Sequence, residues 1–242
     1  MRSIISFTGS LLVWTFCILV SIPLFLVALV IFAVTTPFDP RGVILHQYSC
    51  LWASMYIWVN PFWRIRMQGR EHIKPGTPYM IISNHQSLVD ILVLYRLFKH
   101  FKWVAKAELY KIPVFGWHMA LNRYIKLSRM DRKSQFQMLK TSIRTLQSGS
   151  SVLIFPEGTR TPDGELKRFK EGAFAIAKKA GVAIIPIVIN GSFNAMPKKS
   201  FMMHRVNIQV EVLPEIPAET VAEKDTRELA EYSRELIAAR LP

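Results

Sequence analysis

The chain has 242 residues, 50% of them hydrophobic, and carries 31 Lys and Arg against 17 Asp and Glu, a formal charge of +14. That length holds one sizeable domain plus an appendage, and the surplus of cations calls for an anionic partner. So much apolar surface argues against a nucleic-acid binder and points to an anionic membrane face or a phosphorylated lipid.

No charge interrupts Ser3 to Pro37, and Ile4 to Val34 is dominated by Ile, Leu, Val, Phe and Trp. A helix needs about 20 such residues to cross a bilayer, so the run predicts a membrane anchor. It exceeds the apolar part of a signal peptide and has no small-x-small cleavage site, so it is read as retained. A spanning helix is the default expectation, and a helix bent at Pro23 and held within one leaflet is the alternative. Val43 to Trp63 interleaves Trp52, Tyr56, Trp58 and Trp63 with Ser, Asn and His, which predicts an interfacial helix ended by Pro61. Arg64, Arg66 and Arg70 follow and favour the cytoplasmic side. The two cysteines, Cys17 and Cys50, lie inside these apolar segments and offer neither a disulfide framework nor metal-ligand spacing.

Composition shifts near residue 64, dividing the chain into an anchor, 1–63, and a second domain, 64–242. The second domain alternates short apolar runs with amphipathic ones. Strands are expected at Ile65–Gln68, Tyr79–Ile82, Lys102–Ala105, Tyr124–Leu127, Ser151–Phe155, Val182–Ile189 and Val206–Val212. Helices are expected at Lys133–Ser148, where Phe136, Leu139, Ile143 and Leu146 recur at helical spacing before Gly149. Two more are expected at Phe169–Ala180, ahead of Gly181, and at Glu223–Leu241. The alternation predicts an α/β fold: a mixed, largely parallel sheet flanked by helices, with an N-terminal hydrophobic helical membrane anchor. Lys and Arg crowd Arg96 to Lys133 with only Glu108 and Asp131 among them. That stretch is a solvated face or, given Phe98, Phe101, Trp103, Tyr110, Phe115 and Trp117, a docking surface for anionic lipid.

Ser83-Asn84-His85-Gln86-Ser87-Leu88-Val89-Asp90 sits between the apolar runs Tyr79–Ile82 and Ile91–Leu94, a strand-loop-helix corner. At the carboxyl end of a strand in an open α/β sheet, such corners carry sites. Five positions turn through about 500° on a helix. His85 and Asp90 therefore meet as base and orienting acid only with His85 in the loop and Asp90 in the first helical turn. The same residues read equally as a capping box, in which Asp90 ties down amides and His85 has no task. A second corner is Ser151–Phe155 followed by Pro156-Glu157-Gly158-Thr159-Arg160-Thr161. Pro ends the strand, Gly permits an unusual backbone angle, and Glu157 and Arg160 reach the edge that carries His85. The Arg160 fork suits phosphate; a mutual Glu157–Arg160 pair is the bland alternative.

Together these blocks resemble the glycerolipid acyltransferase family across about residues 65–215. Asn84-His85 to Asp90 matches its Asn-His-x-x-x-x-Asp block, and Phe155 to Arg160 its Phe-Pro-Glu-Gly-Thr-Arg block. Val182 to Pro186 is similar to its apolar strand ending in proline, and Phe169–Phe174 is also family-like. Val104–Leu109 and Ile112–Trp117 are most like the lysophosphatidic acid acyltransferase branch. The second block departs: Tyr124–Arg129 closes in Ser-Arg, with Ser128 where the family has an acid, which leaves the acceptor open.

The resemblance implies transfer of an acyl chain from a thioester to the sn-2 hydroxyl of 1-acylglycerol 3-phosphate, giving phosphatidic acid. His85 would be the general base, oriented by Asp90. Arg129, Glu157, Gly158, Thr159 and Arg160 would hold the phosphate with Lys106 as helper, and Pro186 and its strand would line the acyl path. No metal or cofactor is implied, only acyl-CoA or an acyl carrier protein thioester as co-substrate. Implied partners are an anionic phospholipid membrane and lysophosphatidic acid, with no nucleic acid; the catalytic domain would face the cytoplasm, at the inner membrane in a bacterium. Rival expectations are another lysophospholipid or a lyso-amino-lipid as acceptor, a non-catalytic membrane-docking module, and thioester or lysophospholipid hydrolysis. Ser87 lacks the Gly-x-Ser-x-Gly setting of an acyl-carrying serine, and the six histidines form no ligand pair at helical spacing.

Overall fold

Short apolar runs rich in Ile and Val have become strands. The computed structural model describes residues 2–197 and 200–241, with side chains from Phe7 onward in the first helix. Seven strands form one sheet: β1 (Trp63–Gln68), β2 (Met80–Ser83), β3 (Phe101–Lys106), β4 (Ile125–Leu127), β5 (Ser151–Ile154), β6 (Ile184–Asn190) and β7 (Val206–Val212). Their order is β1-β7-β6-β2-β5-β3-β4, so β2 lies at the centre with three strands on each side. From β6 through β2, β5 and β3 to β4 all neighbours run parallel, while β6 and β7 are antiparallel and β1 follows β7. The mixed, largely parallel sheet expected from the sequence is the one observed.

Sequence pattern explains the layering. β2 and β5 are buried at every position and β6 at all but its last, as continuous apolar strands covered on both faces must be. β1 and β7 alternate buried with exposed residues and leave one face open. Among the described residues eight α-helices complete the layers: α1 (Arg2–Thr35), α2 (Val43–Trp58), α3 (Val89–Tyr95), α4 (Phe115–Leu121), α5 (Arg132–Gln147), α6 (Gly172–Ala180), α7 (Ala218–Glu223) and α8 (Thr226–Ala238). One sheet face packs on α1, α2 and α3 through residues such as Ile81, Ile187, Trp52 and Val93. The other packs on α5, α6 and α8 through Met80, Ile184, Phe174 and Leu229.

The membrane-flavoured segments divide differently from the expectation. α1 is one helix with Pro23 inside it. Over Phe7–Thr35 it is long and apolar enough to cross a bilayer, with 17% of its most apolar window buried. α2 stops at Trp58, and Trp63 belongs to β1. Trp52, Tyr56 and Trp63 are buried against α1 and the sheet rather than held at a headgroup layer, and of the four aromatics only Trp58 is exposed.

Two helix boundaries moved for local reasons. The helix expected from Phe169 starts at Gly172, because the Lys170 amide donates to Pro156 O at 2.9 Å and holds that segment against the glutamate loop. The last helix is broken at Asp225, whose carboxylate accepts from the Arg227 and Glu228 amides while Glu228 accepts from the Asp225 amide. That capping box starts α8 afresh after the short α7. α4 and the 3₁₀ turn at Ala107–Lys111 were not anticipated.

Candidate active site

Because the five strands from β6 to β4 run parallel, their carboxyl ends share one edge, and the two polar corners meet there. Asn84 leaves β2 as a surrogate strand residue: its side-chain amide donates to Ile189 O and its carbonyl accepts from Ile189 N, each at 2.8 Å. The chain then turns through His85 to Ser87 and enters α3, with Asp90 in the first turn.

Asp90 is fully buried, and a single oxygen, Oδ2, accepts three bonds. They come from His85 Nδ1 at 2.9 Å, the Gln86 amide at 2.7 Å and the Ser87 amide at 2.8 Å. The orienting-acid and amide-tethering readings are therefore one arrangement. With the carboxylate on Nδ1, neutral imidazole carries its proton there and presents the Nε2 lone pair outward. The histidine side chain is 12% exposed, enough for one face of the ring edge to meet a substrate. Its ring stacks on Phe155, centroids 3.9 Å apart and planes 9° from parallel, and Phe155 in turn leans on Trp103.

The second corner grips the first by its main chain. Glu157 is buried; its Oε1 accepts the His85 amide at 2.6 Å and its Oε2 the Lys167 amide at 3.2 Å. Thr161 N donates to His85 O at 3.0 Å. Burial holds the Glu157 carboxyl above the usual carboxylate range, opposed by the two amides that favour its charged form. The Glu157–Arg160 pair does not form, and among the described residues no carboxylate engages the guanidinium of Arg160 or of Arg129. Lys167 Nζ caps Arg160 O at 3.2 Å. Gly158 adopts φ +74, a left-handed backbone where a side chain would meet Lys170.

The remaining expected residues are spread along the same edge. Thr159 is exposed and Arg160 half-buried in the second corner, Arg129 is exposed two residues beyond β4, and Lys106 ends β3, exposed and 3.5 Å from Glu108. Arg129 is about three strand spacings, roughly 14 Å, from the strand that delivers His85. Pro186 is not at the edge: it is buried within β6 opposite Ile82, four residues short of Asn190. From the sequence, Asn84 and Phe155 stood in the matched blocks without a role of their own, and the Lys167 backbone was not singled out. The pairing of Ile82 with Ile154 sets Phe155 beside Ser83, so a correct strand order would have found the stacking partner.

A protein-family model described as Acyltransferase matches residues 64–190. The chain is 44% identical over 165 residues to the chloroplastic 1-acyl-sn-glycerol-3-phosphate acyltransferase of Arabidopsis thaliana, a match covering 67% of this chain and 46% of that protein. It is 34% identical over 232 residues to the protein of that name from Chlamydomonas reinhardtii, covering 95% and 68%. With the Pseudomonas aeruginosa protein of that name it shares 35% over 184 residues, covering 76% and 71%. The chain thus spans about half the length of the plant relative and about two thirds of the algal one. The crystal structure of PlsC, the 1-acyl-sn-glycerophosphate acyltransferase of Thermotoga maritima, superposes with a TM-score of 0.82 at 25% identity, covering 99% of this chain and 95% of that one.

Proposed function

The chain belongs to the acyltransferase family, and on that premise we propose that it acylates the sn-2 hydroxyl of 1-acylglycerol 3-phosphate to give phosphatidic acid. The observation that carries the reading is the His85–Asp90 pair at 2.9 Å on the same sheet edge as two arginines that have no carboxylate partner among the described residues. A base and a phosphate clamp on one edge suit an acceptor that has both a hydroxyl and a phosphate, and the relatives' names supply the class.

Nε2 of His85 takes the proton of the acceptor hydroxyl as that oxygen attacks the thioester carbonyl. The carbon–sulfur bond breaks, and the imidazolium returns the proton to the leaving sulfur, so ester and thiol are the only products. Asp90 holds the tautomer and stabilises the imidazolium. General-base help is worth about 10²–10⁴-fold, so holding both substrates at one edge supplies much of the rest. Arg129 and Arg160, assisted by Lys106 and the backbone around Gly158 and Thr159, hold the phosphate. Glu157 has both oxygens occupied by main-chain amides, so it acts as a positioning residue for His85 and Lys167. The donor is an acyl-CoA or acyl carrier protein thioester, and no cofactor is required.

Membrane association is supported by α1, whose apolar surface is largely uncovered. Arg64, Arg66 and Arg70 behind α2 favour a catalytic domain on the cytoplasmic face, the inner membrane in a bacterium. Ser128, where the family carries an acid, favours one second reading, a different lysophospholipid as acceptor.

The test is transfer from a labelled thioester to 1-acylglycerol 3-phosphate in detergent, wild type beside His85→Ala, with lysophosphatidylcholine as the control acceptor. Phosphatidic acid from wild type alone is expected. Full activity in His85→Ala would sink the mechanism, and preference for the control acceptor would overturn the phosphate clamp.

A further inference from the structure

A transfer between two anionic substrates needs two anion subsites, and only one has been described. It lies on the β5–β3–β4 side of the sheet, with Arg160, Lys106 and Arg129. β2 is the middle strand, so three more strands extend from His85 in the other direction. Their outer face is the open one. Register puts Arg64 opposite Asn207, Arg66 opposite Gln209 and Gln68 opposite Glu211, all on the face that α1 and α2 do not cover.

Arg64 and Arg66 are exposed, and among the described residues neither has a carboxylate partner. Glu211, the acid that lines the groove on this face among the described residues, is paired with Arg240 beyond α8 at 3.3 Å. Arg66, Gln209, Asn190, Glu211 and Arg240 line a groove of about 380 Å³, within the size range of small-ligand sites. The groove runs toward the catalytic edge. Asn190 is its β6 wall, and two residues on, Ser192 Oγ donates to Gln86 Oε1 at 3.2 Å, next to His85. Three strand spacings separate Arg66 from the strand of His85, about 14 Å. An extended pantetheine arm crossing the edge at Gly191–Ser192 bridges that span.

Resting on the acyl-transfer reading, we infer that this open face of β1, β7 and β6 binds the nucleotide phosphates of a coenzyme A thioester, with Arg64 and Arg66 as the phosphate forks. The chemistry favours a nucleotide over a carrier protein. Both arginines lie on β1 beside a walled groove, and guanidinium forks with Asn and Gln neighbours match phosphate oxygens and a sugar. The two substrates then approach His85 from opposite halves of the sheet, and neither phosphate competes for the other's arginines.

The experiment compares wild type with Arg64→Gln/Arg66→Gln in neutral detergent micelles, so that no anionic lipid contributes. The acceptor is 1-acylglycerol 3-phosphate; the donors are palmitoyl-CoA, palmitoyl-pantetheine, which has no nucleotide, and palmitoyl carrier protein. At about tenfold per lost fork, the KM for palmitoyl-CoA should rise about 100-fold. The acceptor KM should not move, and the two enzymes should converge on palmitoyl-pantetheine. An unchanged KM for palmitoyl-CoA, or an equal loss with the truncated donor, overturns the inference. So does a wild type that uses only the carrier protein, which would make this a protein-docking face. Direct calorimetric binding of coenzyme A to both proteins is measured alongside. If wild type transfers to no acceptor, the acyl-transfer reading fails by itself. Binding that weakens in the double variant would then still support the nucleotide site, and binding that is absent or unaltered would remove it.

Discussion

Replacing Asp90 with Asn separates two jobs that one oxygen performs. Asp90 Oδ2 accepts two main-chain amides and His85 Nδ1, and the side chain is fully buried. An asparagine that turns its oxygen toward the same amides keeps the loop and still accepts the Nδ1 proton, but it carries no charge. On the proposed mechanism, what is lost is the attraction between carboxylate and imidazolium in the transition state. With charge centres about 4 Å apart and an effective dielectric near 20, that is about 4 kcal/mol, or about a thousandfold in kcat. The acceptor KM should stay within about threefold, because the arginines of the proposed phosphate clamp are untouched. Asp90→Ala is the companion: it also strands the Gln86 and Ser87 amides, at about 1–3 kcal/mol each, and should lower the Tm as well as kcat. The assay is initial-rate transfer to 1-acylglycerol 3-phosphate, with thermal melting of all three proteins. A kcat within tenfold of wild type in Asp90→Asn would refute the electrostatic role and leave Asp90 as a loop tether.

Glu157→Gln must point an amide NH₂ at either the His85 or the Lys167 main-chain donor, so chemical denaturation should show a loss of about 1.5–3 kcal/mol. The displaced histidine should lower kcat by up to about 100-fold. Arg160→Ala and Arg129→Ala should each raise the acceptor KM about tenfold or more while altering stability by no more than about 0.5 kcal/mol, read by kinetics and melting. Stability should also fall in acid. His118, packed on Trp52 and bonded to Ser49 Oγ at 2.8 Å, is pushed by burial to about 4, and His100 is held at about 4 by burial and then by Lys102. The unfolded chain binds these protons near pH 6.5 and the folded one does not, so folding stability declines as pH falls from about 6.5 to about 4. The His118 share is on the order of 3 kcal/mol, and His118→Asn should flatten the decline in a pH series of denaturation midpoints.

The strands were legible because parallel sheets demand unbroken apolar runs: Val182–Ile189 and Ser151–Phe155 read as strands without any partner in view, and strands formed at Ile184–Asn190 and Ser151–Ile154. The His85–Asp90 meeting was legible as a condition, His85 in the loop and Asp90 in the first turn, and the structure satisfies it. Glu157 was legible as polar and edge-bound but not in its task, since its partners are main-chain amides that every residue possesses. The aromatics of α2 misled because Trp and Tyr suit both a headgroup layer and a protein core. The choice between them depends on whether α1 and the sheet lie over them, which no local pattern encodes. The 3₁₀ turn and α4 escaped for a backbone reason: Val114 sits at φ +65 ahead of α4, a conformation that β-branched residues avoid.

The main chain of His85 is pinned by Glu157, 72 residues further along, and by Thr161. Ribosomes add about 5–20 residues per second, so roughly 4–14 s separate the emergence of the histidine from that of its clamp. Throughout that interval a nascent chain holds every atom of the base and no base. On the proposed acyl-transfer reading, activity would wait on completion of the tertiary structure, because His85 is clamped only after the second loop has left the ribosome.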